Sequence, residues 1–378
     1  MKIGIVCYPT YGGSGAVATE LGIALAGRGH EVHIISYAAP FRLAHFYDNL
    51  VFHAVEKCTY PLFEFDLYPL ALAGKCIEVA RDHGLEILHV HYAIPHAVSA
   101  FLAREIVGRG TLKLVTTLHG TDSTIVGREP SLSPLVTFSL RESDGVTAVS
   151  CYLEDVTRRT YDIAREIEVI PNFVDTKKFA PAPTSSFRSR IAPKGERILV
   201  HVSNFRPVKR VQDAIRAFRM IRARVQAFLL LIGDGPDRPA CEKLARESGL
   251  SHDVYFLGKQ DAVEEVLAAS DLFLLPSEIE SFGLSALEAM SCGVPVISTD
   301  CGGIPEVNIH GQTGYLVPTG DVEAMADCAL ALLLDREKHE VFSEAARRRA
   351  VNDFDVSRVV PHYERFYEEI LMRGGSQQ

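Results

Sequence analysis

Tryptophan is absent from the 378 residues, which by itself excludes nothing. Other shortages exclude more. No two of the eight cysteines are spaced C-x-x-C, and no His–Cys cluster has zinc spacing. Cys7, Cys292 and Cys328 lie in apolar stretches, where cysteine behaves as a small hydrophobe, so a reducing, cytoplasmic setting is expected. No apolar run approaches the roughly 20 residues a membrane helix needs. The opening MKIGIVCYP lacks a signal-peptide core and reads as a first buried strand. Positive charge is also short. Lys and Arg number 39 against 48 Asp and Glu, a net charge of −9. The basic footprint of a nucleic-acid binder is therefore missing, and docking on anionic lipid is disfavoured. With 47% hydrophobic and 23% charged residues the chain is too apolar for disorder, and its length suggests two domains, or three.

Short β-branched runs alternate with longer amphipathic stretches. Strands are expected at Ile3–Cys7, Glu31–Ser36, Ile87–His91, Leu112–Thr117, Gly145–Ala148 and Ile167–Ile170, with helices such as Ser14–Arg28 and Leu67–Asp82 between them. This alternation implies right-handed crossovers and a parallel sheet covered on both faces. Residues 171–195, rich in Pro, Ser and Lys, break the pattern and read as a linker. Alternation restarts at Arg197–Ser203 and continues through Ala227–Ile232, Val254–Leu257, Leu272–Leu275 and Val294–Ser298. The expected organisation is an α/β domain over 1–170, a second over 196–355, and a helical tail (345–372) whose last part, 356–378, crosses back onto the first. Ligands of open α/β sheets bind at the carboxyl ends of strands, so a cleft between two such faces is the default site.

The informative motifs follow strands. Gly12-Gly13-Ser14-Gly15-Ala16 opens a helix, where backbone amides and the helix N-terminus can hold an anion. Gly13 to Ala18 even matches G-x-G-x-x-A, but the second strand ends in Ser36-Tyr37 with no acid to grip a nicotinamide ribose. Leu118-His119-Gly120-Thr121-Asp122 puts a histidine at a strand end, where it can reach substrate or be satisfied locally. His89 and His91 read as buried strand residues, and Tyr92 fits either role. Ser203-Asn204-Phe205-Arg206-Pro207-Val208-Lys209-Arg210 looks like a phosphate clamp, with Arg210 the cation best explained by structure alone. Gly233-Asp234-Gly235-Pro236 reads as a turn. In Pro276-Ser277-Glu278-Ile279-Glu280-Ser281-Phe282-Gly283-Leu284, Glu280 sits before a helix and Glu288 inside it. Side chains on a helix lean toward its N-terminus, so Glu288 can address whatever binds near Gly283 and Leu284. The Asp300-Cys301-Gly302-Gly303 loop adds another wall. Asp353-Phe354-Asp355 has the D-x-D form of a metal motif but precedes the final helix, where Asp355 suits an N-cap; no metal is assigned.

Together the Glu280–Glu288 spacing, GGSG, HGTD, Arg206 with Lys209, and CGGIPE resemble the retaining GT-B glycosyltransferases of family 4 over nearly the whole chain. That resemblance implies two Rossmann-like domains, a nucleotide-sugar donor, no metal and no cofactor. Within the family, GGSGAVATELGIALAGRGHEVHIIS, PFRL at 40–43, HVHYAIPHA, TLHGTD and SNFRPVKRV are similar to a bacillithiol-pathway branch that joins UDP-N-acetylglucosamine to L-malate. It implies catalytic roles for Lys209, Arg206, Glu280 and His119. Donor contacts would come from Gly13, Ser14, Asn204, Arg206, Lys209, Gly258, Lys259, Glu280, Phe282, Gly283, Leu284 and Glu288. Acceptor contacts would come from Ser14, Tyr92, Thr117, His119, Asn204 and Arg206. Relatives often carry Arg five residues before the phosphate lysine; here that position is Asn204, which turns Arg206 toward the acceptor carboxylates. The expected partners are small-molecule substrates, with no nucleic acid and no membrane, in a homodimer. The alternatives are a family 4 transferase acting on an inositol phosphate or a glycan, and a nucleotide-sugar sensor that binds without transfer.

Overall fold

A computed structural model describes residues 1–9, 12–43, 45–56, 67–121, 127, 129–182 and 186–373. The chain divides into two units, one of Met1–Pro171 with Val359–Gln378 and one of Asn172–Arg358.

The first unit holds seven parallel strands in the order β3-β2-β1-β4-β5-β6-β7. They are β1 (Lys2–Val6), β2 (Glu31–Ser36), β3 (Leu50–Ala54), β4 (Ile87–His91), β5 (Lys113–Leu118), β6 (Gly145–Ala148) and β7 (Glu168–Val169). Ile3, Ile5, Val6, Ile34, Ile35, Ile87, Leu88 and Val90 are wholly buried, because helices cover both faces of the sheet. Each such side chain withdrawn from water contributes roughly 1.5–3 kcal/mol. Strand order reverses between β1 and β4, and ligands of open α/β sheets bind at that reversal.

The second unit holds six parallel strands in the order β10-β9-β8-β11-β12-β13. They are β8 (Arg197–Val202), β9 (Ala227–Ile232), β10 (Val254–Gly258), β11 (Leu272–Leu275), β12 (Val296–Thr299) and β13 (Gly314–Val317). Here the reversal lies between β8 and β11.

Three features depart from the sequence pattern. Strands β3 and β13 were not expected. Both are sheet edges, and in Leu50–Ala54 only Leu50 is buried, so its apolar run is too short to stand out. The stretch 171–195 is no free connector: Phe173, Val174 and Phe179 are buried in the second unit, and Ser186–Ile191 is a short helix. The tail is two helices, Arg336–Asp353 and Val356–Arg373, broken at Phe354-Asp355. Asp355 Oδ1 accepts the Ser357 amide at 2.9 Å, the N-cap geometry expected of it, and Val174 pairs with Asp355 in a parallel bridge. Among the described residues no helix is long and apolar enough to cross a membrane.

Candidate active site

In the second unit the chemistry gathers where strand order reverses. His201, buried in β8, donates from Nδ1 to the Leu274 carbonyl of β11 at 2.8 Å, while its Nε2 accepts from Ser203 Oγ at 2.8 Å. Burial pushes this imidazole down to about 4, so it serves as a neutral tie across the reversal. The loop that follows rests on the Gly233–Pro236 turn. A Cβ at Gly233 would stand 1.8 Å from the Ser203 carbonyl, and the Asp237 amide donates to Phe205 at 3.0 Å. The turn reading of Gly233-Asp234-Gly235 therefore has a physical basis in close backbone approach. Its Gly233 amide also donates to the Gly258 carbonyl at 2.8 Å, joining the Gly258-Lys259 corner to the same shelf.

Beyond this shelf, Pro207–Lys209 form a single 3-10 turn. Lys209 Nζ contacts Glu280 Oε1, and the same oxygen accepts Ser277 Oγ at 3.1 Å. The Glu278 amide donates to the Val208 carbonyl at 2.8 Å, so backbone fixes the two loops as well. A third segment locks Ser277 and Glu280 from below. Thr299 Oγ1 donates to the Ser277 carbonyl at 2.5 Å, Cys301 Sγ to the same carbonyl at 3.3 Å, and the Gly303 amide to the Glu280 carbonyl at 3.0 Å. Lys209 and Glu280 keep 19% and 13% of their side chains exposed, enough to address a ligand. The helix Leu284–Ser291 begins at Gly283 with no side-chain cap, leaving its first amides for an anion. Glu288, 4% exposed, sits one turn in. Phe282 is buried edge-on against Phe354, at 5.7 Å between ring centroids.

The remaining cations separate by role. Arg210 is held by Asp213 at 2.6 Å and is structural. Arg206 is exposed and forms no ion pair with the described residues. Asn204 Oδ1 is buried without a hydrogen-bond partner among them, an open acceptor in the loop that leads to Lys209.

In the first unit the reversal between β1 and β4 brings a different set together. The helix Gly13–Gly27 opens after Gly12 without a side-chain cap. Tyr92, just past β4, has φ of 97°, unusual for a residue with a Cβ, and donates from its hydroxyl to Ser14 Oγ at 2.8 Å. His119, past β5, lies 2.8 Å by Nε2 from His91 Nδ1, with its ring 5.4 Å from that of Tyr92. Ser14, Tyr92 and His119 thus form one group, while Asp122 lies outside the described residues.

Thr117 does not join them. It is fully buried, and its hydroxyl is engaged by His89 Nε2 at 2.6 Å and Thr147 Oγ1 at 2.5 Å. It supports the site rather than lining it. Two contributors went unassigned in the sequence. Ser277 stands three residues before Glu280 and was legible as part of the motif. His91 reads as an ordinary strand residue, and only the fold reveals its bond to His119.

The histidines beneath this group carry a pH signature. Burial pushes His89 down to about 3 and His96 down to about 4, from an ordinary 6.5. Both are neutral when folded and free to protonate when unfolded. Stability is therefore complete above about 6.5 and declines as pH falls, at about 1.4 kcal/mol per pH unit for each histidine until its folded value is reached. The urea midpoint should fall between pH 7 and pH 5, less steeply in His89→Gln. A midpoint flat over that range would contradict the assignment.

Comparison with known proteins places this geometry. Residues 11–178 match the family described as Glycosyltransferase Family 4, and residues 184–349 match Glycosyl transferases group 1. The N-acetyl-alpha-D-glucosaminyl L-malate synthase of Bacillus anthracis is 48% identical over 98% of this chain and 97% of its own. A GDP-mannose-dependent phosphatidylinositol monomannoside mannosyltransferase of Mycolicibacterium smegmatis is 29% identical over 86% and 87%. Among solved structures, HepE of Anabaena with UDP and glucose superposes with a TM-score of 0.84 at 21% identity, over 97% of this chain and 99% of that one. Sucrose-phosphate synthase of Thermosynechococcus elongatus does so with 0.82 at 22% identity, over 99% and 100%. The chain belongs to family 4 of the GT-B glycosyltransferases.

Proposed function

We propose that this enzyme transfers N-acetylglucosamine from UDP-N-acetylglucosamine to L-malate with retention at the anomeric carbon and without a metal, the first step of bacillithiol biosynthesis. The observation that carries the reading is 48% identity along essentially the full length to the Bacillus anthracis malate synthase. The geometry of each unit is consistent with it. In the second unit Glu280 takes the sugar hydroxyls and Lys209 the diphosphate, joined by the free amides at Gly283 and Leu284. Glu288 takes the ribose hydroxyls, and the Gly258-Lys259 corner meets uracil. In the first unit Ser14, Tyr92 and His119 attend the acceptor. Asn204, with its open carbonyl oxygen, and Arg206, exposed and unpaired by the described residues, are available to malate.

In the reaction the bond from C1 to the diphosphate oxygen breaks and UDP departs with the electron pair. The malate hydroxyl oxygen bonds to C1 on the same face, and its proton passes to the departing phosphate. Negative charge grows on that phosphate, and Lys209 with the helix-end amides is preorganised to stabilise it. The seven described cysteines are all free, which suits a reducing cytoplasm.

The test is UDP release from UDP-N-acetylglucosamine with a panel of acceptors. Release should depend on L-malate and survive excess EDTA. Equal rates with an inositol phosphate would overturn the acceptor, and rescue of EDTA-inhibited enzyme by Mn²⁺ would overturn the metal-free reading. In the same assay Arg206→Lys should raise the malate KM far more than the donor KM, because lysine cannot reproduce a two-pronged grip on a carboxylate. A rise in donor KM alone would assign Arg206 to the diphosphate instead.

A further inference from the structure

We propose that His33, His53 and His83 form a binding site for a divalent metal ion of the zinc class, separate from the residues of glycosyl transfer. His33 lies on β2, His53 on its neighbour β3, and His83 closes the helix Tyr68–His83. One ring nitrogen from each lies within 4.8 Å of the others. His33 Nδ1 and His53 Nε2 are 2.9 Å apart, and the three ring centroids are separated by 4.3 to 5.3 Å. Imidazole nitrogens bonded to zinc at about 2.0–2.1 Å in a tetrahedron are roughly 3.3 Å from one another, so small side-chain movements suffice.

The surroundings suit an ion. His33 Nε2–H donates to Glu31 Oε1 at 3.1 Å, and a carboxylate can only accept, so this bond leaves the Nδ1 lone pair facing His53. A carboxylate behind a ligating histidine fixes ring orientation and raises basicity. Burial holds His33 and His53 below their ordinary value, in the neutral form that ligates. Both nearby lysines are neutralised: Lys2 lies 3.5 Å from Glu31, and Lys75 is 2.7 Å from Glu78. His33 is buried while His53 and His83 are half-buried, which leaves an approach for the ion and room for water as a fourth ligand. Three imidazoles without a hard oxygen donor select zinc, copper or nickel over magnesium or calcium. The helix ending at His83 returns the chain toward the amino ends of the strands, whereas Ser14, Tyr92 and His119 follow carboxyl ends.

The test uses the full-length protein, stripped by chelator and desalted. Calorimetric titration with Zn²⁺ should give one ion per chain, and Co²⁺ should give the visible absorption of a tetrahedral nitrogen site. Loss of an outer partner alone costs 10- to 100-fold in affinity, so Glu31→Gln should weaken binding about that much. His53→Ala and His83→Ala, at half-buried positions, should each weaken it by more than about 100-fold. Their unliganded melting temperatures check that they fold. Absence of stoichiometric uptake, or uptake that persists in the His53→Ala, His83→Ala double variant, would overturn the site.

Discussion

Lys209→Ala is expected to lower kcat about 100- to 1000-fold while the protein stays folded. The argument starts from placement. Lys209 is carried on a single 3-10 turn between β8 and a helix, and the Glu278 amide ties that turn to the next loop through the Val208 carbonyl. Its ammonium meets Glu280, whose own position is set by Ser277. The cation therefore arrives oriented, and it need not reorganise when charge develops on a leaving group. Removing one such preorganised partner typically costs about 3–4 kcal/mol of barrier. Donor KM should change less, because the ground-state diphosphate keeps the helix amides. Arg210→Ala supplies the contrast: that cation is one residue away but is paired with Asp213. Rates should stay close to the parent's in Arg210→Ala. A Lys209→Ala enzyme with near-parental kcat, or equal losses in the two variants, would remove Lys209 from the chemistry.

Gly302→Ala should cost about 100-fold in kcat/KM although Gly302 offers no side chain to a ligand. Its φ is 59°, and a Cβ there would stand 1.8 Å from the Glu280 carbonyl oxygen. Two effects add. A residue with a Cβ loses roughly 1–2 kcal/mol in the left-handed region. The clash is with backbone, so the Glu280 loop must move by more than about 1 Å before 1.8 Å opens to the 3.4 Å of an ordinary contact. A misplacement of that size can cost on the order of 100-fold when the displaced group positions substrate. The Gly303 amide bond to the Glu280 carbonyl, 3.0 Å in the parent, would be strained by the same shift. Parental kinetics in a folded Gly302→Ala protein would mean that Glu280 does not need its present position.

Much of this arrangement can be read along the chain, and the exceptions share a cause. Strands buried on both faces announce themselves as apolar runs, and Leu272–Leu275 begins and ends as its pattern suggests. Edge strands such as Leu50–Ala54 are half in water and lose that signal. Motif loops after strands are equally visible, because a phosphate-facing turn needs glycines, cations and short polar side chains. What a linear reading lacks is pairing. Lys209 and Glu280 are 71 residues apart and meet only because β8 and β11 are neighbours. A hydroxyl suits malate, so in the sequence Thr117 reads as an acceptor contact. The strand runs one residue further, to Leu118, and β5 buries the Thr117 hydroxyl.

The helix Val356–Arg373 has a consequence for biosynthesis. Its later turns belong to the first unit, where Tyr367 donates its hydroxyl toward His89 at 2.7 Å and Phe366 and Ile370 lie against Gly145. The second unit, Asn172–Arg358, is by contrast continuous in the chain. On the ribosome, Asn172–Arg358 therefore has all of its residues before the first unit does. The sheet of the first unit, although its strands are made earlier, waits for Val359–Arg373 before its own core is complete.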